Sequence, residues 1–125
     1  MTRNGNIAGG GSNRLPATIT SGGITRELTQ HAIDKPHHGI TAAIIEHVLD
    51  NWVIRGIKTD ALGRQSMCYL AFAPQLGKTV RVAVSMDGSR IITAFPDDAA
   101  TGHWNKGNLS YFVKRYQNLE VRDAS

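Results

Sequence analysis

The apolar residues in the first half of the chain recur at the spacing of a helix. In the segment ITRELTQHAID, Ile24, Leu28 and Ala32 are four residues apart, which places them on one helical face. The next segment, ITAAIIEHVLDN, carries a continuous apolar stripe, and Thr41 is a suitable N-cap near its start. The pattern therefore predicts two short N-terminal helices joined by the loop KPHHG.

After Asn51 the period changes to the alternation that is typical of strands. Residues that favour strands are concentrated in WVIRGIK, SMCYLAFAP, KTVRVAVSM and SRIITAF. In the third of these segments, Val80, Val82 and Val84 alternate with polar or small residues, as in a strand with one buried face. The Asp-Gly pair in MDGS is a strong hairpin signal between the third and fourth segments. We predict an antiparallel meander of about four strands.

The C-terminal segment NKGNLSYFVKRYQNLEV predicts one more helix, followed by an edge strand. Its apolar residues share one helical face: Leu109, Phe112, Val113 and Tyr116. The predicted fold class is therefore α+β, with two N-terminal helices packed on an antiparallel sheet of about four to five strands and a short C-terminal helix.

The chain is predicted to hold one domain behind a linker. Residues 1–22 are rich in Gly, Asn, Ser and Thr, and this composition is typical of a flexible linker, here to a longer carrier protein. Residues 23–125 are enough for a single hydrophobic core. No apolar run approaches the roughly 18 residues that a membrane-spanning helix needs, so we expect no membrane span.

Charge and cysteine content narrow the classes of partner and site. The chain has 14 Lys and Arg against 10 Asp and Glu, a formal net charge of +4, which suits a polyanion such as nucleic acid or an acidic protein that covers the same face. Cys68 is the only cysteine, so no intrachain disulfide and no cysteine-based zinc site can form. Its apolar surroundings, MCYLAFA, predict a buried residue and not a catalytic thiol.

The segment HAIDKPHHGI contains three histidines, but their spacing does not favour a metal site. Two ligands on one helix are expected at positions i and i+4, and the residue four after His31 is Lys35, which repels a cation. His37 and His38 are adjacent, so their side chains diverge in most backbone conformations. We predict no metal and no other cofactor.

Metal-free acid–base chemistry is the alternative for this segment. Histidine titrates near neutral pH and can take and return a proton, which RNA cleavage requires together with cations that stabilise the phosphorane. His31 at a helix end and Lys35 one turn further on suit these roles. In the other, purely structural interpretation, His31 packs against the end of its helix, and His37 and His38 are solvated loop residues.

Candidate binding residues lie on the strands and in the loop after them. Arg81 alternates with the valines of its strand and so faces away from their core, where it and Thr93 are suitable for holding a phosphate. From the pattern alone, an ordinary strand former without a functional role is the better interpretation of Thr93. The loop TGHWNKGN carries His103 and Trp104, and the indole either stacks on a base or plugs the edge of the core.

The order of these motifs resembles a known family. QHAIDK, HGITAAIIEHVLDN, YLAFAP, GKTVRVAVSMDGSRIITAFP and the aromatic C-terminal helix are arranged as in the C-terminal toxin domains of bacterial contact-dependent growth inhibition and related polymorphic toxin systems. Within that group the chain is similar to members with the barnase/EndoU/colicin/RelE-like ribonuclease fold. The resemblance covers roughly residues 24–118, and the hairpin VRVAVSMDGSRIITAFP is its most specific part.

The resemblance implies metal-independent RNA cleavage, frequently of tRNA, inside a neighbouring bacterial cell. It implies delivery from the cell surface or by secretion as part of a large carrier, with action in the target-cell cytoplasm. A cognate immunity protein that covers the active site is the implied partner, and a translation elongation factor is a further partner to consider.

The resemblance also implies roles for individual residues. His31 matches the helix-borne catalytic histidine, acting as general base or acid, Arg81 a basic residue of the central strand, and Thr93 the polar residue after the Asp-Gly turn. Lys35 would stabilise the phosphorane together with Arg81. The residues assigned to substrate binding are His38, His103, Trp104 and Tyr111.

Two other functions stay open from the sequence. A ribosome-dependent mRNA interferase of a toxin–antitoxin pair shares the fold. A basic RNA- or protein-binding module without catalysis would use the histidines only structurally.

Overall fold

The computed structural model describes residues 14–122, and within them lie seven strands and four helices. The strands are β1 Thr18–Ser21, β2 Ile24–Leu28, β3 Ile54–Thr59, β4 Gln65–Ala73, β5 Lys78–Ser85, β6 Arg90–Pro96 and β7 Gln117–Val121. The helices are α1 Gln30–Asp34 and α2 Ala42–Asp50, which lie between β2 and β3, and α3 Asp98–Asn105 and α4 Leu109–Arg115, which lie between β6 and β7.

All seven strands form one mixed sheet in the order β1-β2-β6-β5-β4-β3-β7. Every neighbouring pair is antiparallel except β2 and β6, which run parallel over two residue pairs, Glu27 with Arg90 and Leu28 with Ile91. The four-strand meander predicted from the alternating segments is confirmed as β3–β6. The hairpin at the Asp-Gly pair is confirmed too, with Gly88 at φ +81°.

The predicted fold class is wrong, because the described part of the chain does not begin with two helices on a sheet of four to five strands. The segment predicted as the first helix consists of β2 and the single turn of α1. The reason is Arg26, which is buried and donates from Nε to the Gly88 carbonyl at 3.0 Å. A buried arginine conceals the alternation of a strand, so that Ile24, Leu28 and Ala32 look helical.

The remaining helices follow the sequence prediction in part. Thr41 caps α2 as predicted, and its side chain accepts a hydrogen bond from the Ile44 amide at 3.2 Å. The predicted C-terminal helix and edge strand are found as α4 and β7. The segment TGHWNKGN, predicted as a loop, is largely helical, because Asp97 caps α3 by accepting from the Ala100 amide at 3.0 Å.

The segment predicted as a linker contributes to the sheet. Residues 1–13 lie outside the described residues, but β1 pairs with β2 through a tight turn at Gly22 and Gly23, both at positive φ. Leu15 and Ile19 are buried, and the Leu15 amide donates to the Ile33 carbonyl at 3.1 Å. The folded domain therefore includes residues that precede position 23.

Helices cover both faces of the sheet and create two cores. The first core lies under α1 and α2 and contains the inward-facing side chains Ile44, Ile45, Val48, Val80, Val82, Val84 and Ile91, among others. The second core lies on the opposite face, against α3 and α4, and contains Ile54, Cys68, Leu70, Ala83, Ala100, Phe112 and Tyr116. Cys68 is buried as predicted, and burial raises the pKa of its thiol. None of the helices in residues 14–122 is long and apolar enough to cross a membrane.

Candidate functional site

Arg81 is the centre of a polar cluster on the face of the sheet that carries α3 and α4. Its Nη1 donates to the Tyr116 hydroxyl at 2.9 Å, and its Nε lies 4.0 Å from Asp97 Oδ2. The guanidinium carbon is 4.4 Å from the centroid of the Phe95 ring, the cross-strand neighbour of Arg81. We call Arg81, Phe95, Asp97 and Tyr116 the Arg81 cluster. Its cation is held in one orientation while 17% of its side chain stays exposed.

Tyr116 reaches Arg81 because the sheet lacks a side chain beneath it. The tyrosine follows α4 and lies over Gly56 in β3, where a Cβ would be 2.6 Å from the Tyr116 Cβ. Burial raises the pKa of Tyr116 to about 12, although Arg81 opposes this shift. The phenol therefore stays neutral at physiological pH, accepts a hydrogen bond from Arg81 and keeps a proton of its own to donate.

A polar groove opens beside the Arg81 cluster. It has a volume of about 400 Å³ and is lined by Lys58, Asp60, Arg64, Gln65, Ser66 and Ile92, which we call the Lys58 groove. Lys58 connects the two features, since its Nζ lies 5.8 Å from the centroid of the Tyr116 ring. Asp60 and Arg64 form an ion pair at 2.7 Å, so Lys58 is the cation of the groove that has no ion-pair partner among the described residues.

Thr93 lies on the same sheet face as Arg81. Its cross-strand neighbour is Ala83, two residues along β5 from Arg81, so the two side chains are diagonal neighbours. The structure thus brings together two of the four residues that the sequence assigned to catalysis.

His31 and Lys35 lie apart from the Arg81 cluster. Both belong to the single turn of α1 and its C-cap, and both are exposed. Among residues 14–122, no side-chain hydrogen bond or ion pair joins either of them to Arg81 or Thr93. They are linked to each other through the backbone, where the Lys35 amide donates to the His31 carbonyl at 2.9 Å.

His37, whose role the sequence left open, is the histidine that contacts the Arg81 cluster. Its ring centroid lies 5.4 Å from that of Phe95, the same ring on which Arg81 packs. Gly39, at φ +83°, allows the backbone to pass close to the Leu76 side chain, since a Cβ at this position would lie 2.8 Å from Leu76 Cδ2. His38 is exposed beside it.

His103 and Tyr111 form a separate stack between α3 and α4. Their ring centroids are 3.8 Å apart with an interplanar angle of 15°, and the Arg115 guanidinium lies 3.9 Å from the Tyr111 centroid. The Asn108 amide lies 3.0 Å from His103 Nδ1, and the Ser110 hydroxyl donates to Asn108 Oδ1 at 2.7 Å. These contacts hold the imidazole in place on the helices and not in the Lys58 groove.

Sequence reasoning missed Asp97, Tyr116 and Lys58 as members of the site. Asp97 had a local signal, since an aspartate directly before a helix is a typical N-cap. Tyr116 was counted only among the apolar residues of its helix, and nothing local indicates that its hydroxyl meets a residue 35 positions earlier. Among residues 14–122, no three His, Cys, Asp or Glu side chains lie close enough together to hold a metal ion.

Comparison of the chain with protein-family models, with curated proteins and with solved structures returned no match.

Proposed function

We propose that the chain is the toxin domain of a bacterial antagonism system and a metal-independent endoribonuclease, with tRNA as its preferred substrate. The observation that carries this proposal is the Arg81 cluster beside the Lys58 groove, in a protein of formal net charge +4. A fixed guanidinium near a groove that carries Lys58, a cation without an ion-pair partner within residues 14–122, suits the negative charge that develops on phosphorus when RNA is cleaved.

The chemistry that fits these residues is attack of a ribose 2′-hydroxyl on the adjacent phosphate. A general base takes the 2′-hydroxyl proton, the oxygen bonds to phosphorus, and a general acid protonates the departing 5′-oxygen. The products are a 2′,3′-cyclic phosphate and a free 5′-hydroxyl. Arg81 and Thr93 would hold the phosphate, with Lys35 as a further cation.

Two histidines compete for the acid–base role in this proposal. The family resemblance assigns it to His31, while the contact with Phe95 favours His37 because it lies beside the Arg81 cluster. Both precede α2 and lie within one short segment, so a substrate that spans this edge of the sheet can meet both.

The proposed biological setting follows from the resemblance. A large carrier would deliver the domain from the surface of one cell, or by secretion, into the cytoplasm of another. An acidic immunity protein would cover the basic face, and a translation elongation factor would be a host partner. Charge complementarity with the +4 chain supports the acidic character of the immunity protein.

The test is cleavage of purified tRNA in the presence of EDTA by the protein and four variants. General acid–base groups typically contribute 10²–10⁴-fold, so loss of the catalytic histidine in His31→Ala or His37→Ala should slow cleavage by roughly 100-fold or more. Arg81→Ala should do the same. His47→Ala is the matched control, because His47 lies on α2 and contacts the Phe72 carbonyl.

Full activity in both histidine variants, or its loss on adding EDTA, would refute this assignment. Cleavage only of mRNA on translating ribosomes would instead support the mRNA interferase function.

A non-catalytic RNA-binding module is the second candidate. It is favoured by the engagement of Arg81, whose donors already face Tyr116 and Asp97, and by the absence of a side-chain hydrogen bond to His31 in the described part of the chain. Stable binding of tRNA without new RNA ends, unaffected by His31→Ala or His37→Ala, would establish this function and exclude the enzyme.

A further inference from the structure

A second opening lies on the same face of the sheet, on the other side of Phe112 and Tyr116 from the Lys58 groove. It has a volume of about 290 Å³ and lies between the helices α3 and α4 and the strands β3–β5. We call it the Trp104 cleft and define it by Leu70, Phe72, Ala100, Trp104, Asn105 and Phe112. None of the acid–base or phosphate-holding roles above uses this cleft.

The walls of the Trp104 cleft suit a flat apolar ligand. Phe72 is 51% exposed and Trp104 37% exposed, which is unusual for large aromatic side chains that border a core. Trp104 is held edge-on against Phe112, with ring centroids 6.3 Å apart and an interplanar angle of 73°. One face of the indole therefore has a fixed orientation and can stack on a planar group.

The polar groups of the cleft are few. Thr79 contributes a backbone amide that already bonds to the Thr101 hydroxyl at 2.9 Å. The side-chain amide of Asn105 makes no hydrogen bond to any residue between 14 and 122, and it lines the cleft. An amide offers one acceptor and two donor hydrogens, which match the edge of a nucleobase.

The charge around the cleft suits the phosphate of a nucleotide. Lys106 directly follows Asn105 at the exposed end of α3. Leu70, which lines the cleft, is the cross-strand neighbour of Arg81, and neighbouring strands lie about 4.8 Å apart. A base in the cleft thus lies one strand from the cation that would hold the scissile phosphate.

We propose that the Trp104 cleft binds a single unstacked base of single-stranded RNA, with Trp104 stacking on the ring and Asn105 bonding to its edge. The proposal rests on RNA being the ligand of this face, as the proposed function has it. It adds a base-binding subsite that positions the strand relative to Arg81, and it gives the exposed aromatic pair a defined ligand.

Fluorescence can follow this binding directly. The chain has two tryptophans, and Trp52 is buried between the guanidinium groups of Arg55 and Arg122, at 4.4 and 4.1 Å from its ring. In a Trp52→Phe background, emission reports on Trp104 alone. Adenosine monophosphate and a 2′-O-methyl oligoribonucleotide, which cannot be cleaved through its 2′-oxygen, should both quench this emission. Ribose 5-phosphate, which has the charge without the base, should not.

Variants show where the ligand binds, and their affinity is measured from the fluorescence anisotropy of a labelled 2′-O-methyl oligoribonucleotide. Loss of one base–aromatic stack in Trp104→Ala should weaken binding roughly 5- to 150-fold. Ala100→Leu, which fills the cleft and keeps both aromatic walls, should weaken it as well. Met86→Ala is the matched control, because Met86 is a 47% exposed apolar residue in the β5–β6 turn and should bind unchanged. Thermal unfolding checks that each variant is folded.

The outcomes separate this proposal from the function on which it rests. Equal quenching by ribose 5-phosphate, or unchanged affinity in both folded cleft variants, would overturn the base-binding cleft even if tRNA is cleaved. Cleft-dependent binding of the oligoribonucleotide without cleavage of tRNA would support the cleft and refute the ribonuclease. Binding of an apolar dye in the cleft without any nucleotide binding would point to a protein side chain as its ligand and overturn the proposal.

Discussion

At the residue scale, Tyr116 determines how Arg81 is presented. The tyrosine is 5% exposed, and its ring covers Gly56 so that the hydroxyl reaches across the sheet to the guanidinium. The hydrogen bond holds Arg81 while leaving part of its side chain accessible beside the Lys58 groove. A cation fixed in this way loses little conformational freedom when a phosphate binds.

Tyr116→Phe tests this arrangement through the pH dependence of stability. Burial raises the pKa of Tyr116 in the folded protein to about 12, above the ordinary tyrosine value of about 10. The contribution of the neutral phenol to stability is therefore fully present below about pH 10 and is lost as the pH rises through about 12. The free energy of unfolding should fall by roughly 2–3 kcal/mol over this range in the parent protein because of this group. Urea denaturation at pH 9, 11 and 12 measures it.

In Tyr116→Phe, this part of the fall in the free energy of unfolding at high pH should be absent. At pH 7 the variant should be less stable by about 1–3 kcal/mol, because Arg81 loses its hydrogen-bond acceptor. An identical pH profile in the two proteins would show that Tyr116 ionises as freely in the folded as in the unfolded state.

At the scale of the element, the hairpin of β1 and β2 shows how a Gly-rich segment becomes part of the fold. Gly22 and Gly23 adopt φ values of +58° and +80°, which other residues adopt only at a cost. Cross-strand pairing then places Ile19 opposite Arg26, and the isoleucine is buried in the first core. Burial of every second side chain is enough to hold a strand at the edge of the sheet.

Ile19→Ala measures the contribution of this hairpin. Removing a buried isoleucine side chain typically costs 2–5 kcal/mol, and an edge position should lie toward the lower end. Ile24→Ala is the matched control, because Ile24 belongs to the same hairpin but is 52% exposed, and its substitution should change stability by no more than about 0.5 kcal/mol. Equal midpoints of urea denaturation in the two variants would contradict the burial of β1.

At the scale of the whole molecule, the two pairs of helices cover the two faces of the sheet to different extents. The pair α1 and α2 covers a continuous apolar core, whereas α3 and α4 cover only part of the opposite face. The Lys58 groove and the Trp104 cleft remain open on that face, with the Arg81 cluster between them. If RNA is the ligand of this face, as we propose, a strand that follows it would meet a cation, a fixed guanidinium and an aromatic wall in turn.

Salt dependence tests whether this face binds RNA through its charges. For single-stranded RNA, the slope of the logarithm of affinity against the logarithm of salt concentration is about −0.7 for each phosphate contact. Lys58→Ala and Lys106→Ala should each make the slope shallower by about 0.7. Arg14→Ala is the matched control, since Arg14 pairs with Asp34 at 2.7 Å near α1. An affinity that does not change with salt would exclude electrostatic binding of RNA.

Local pattern was enough for the elements whose apolar residues recur at a regular spacing along the chain. The valines of β5, the apolar stripe of α2 and the Asp-Gly turn each carry their signal within a few residues. The same alternation predicted that Arg81 faces away from the valine core. It failed for β2, where the buried residue is Arg26, and for α3, whose apolar face is small.

The sequence by itself determined the central meander, the second helix, the C-terminal helix and the basic charge, because these depend on residues that are close along the chain. The tertiary structure alone decided the order of seven strands, the parallel contact of β2 with β6 and the partners of Arg81. Tyr116 lies 35 positions after Arg81 and meets it because α4 returns across the sheet. Asp97 meets Arg81 through the pairing of β5 with β6, whose register places Pro96 opposite Val80. Such contacts depend on how elements pack, for which the chain carries no local signal.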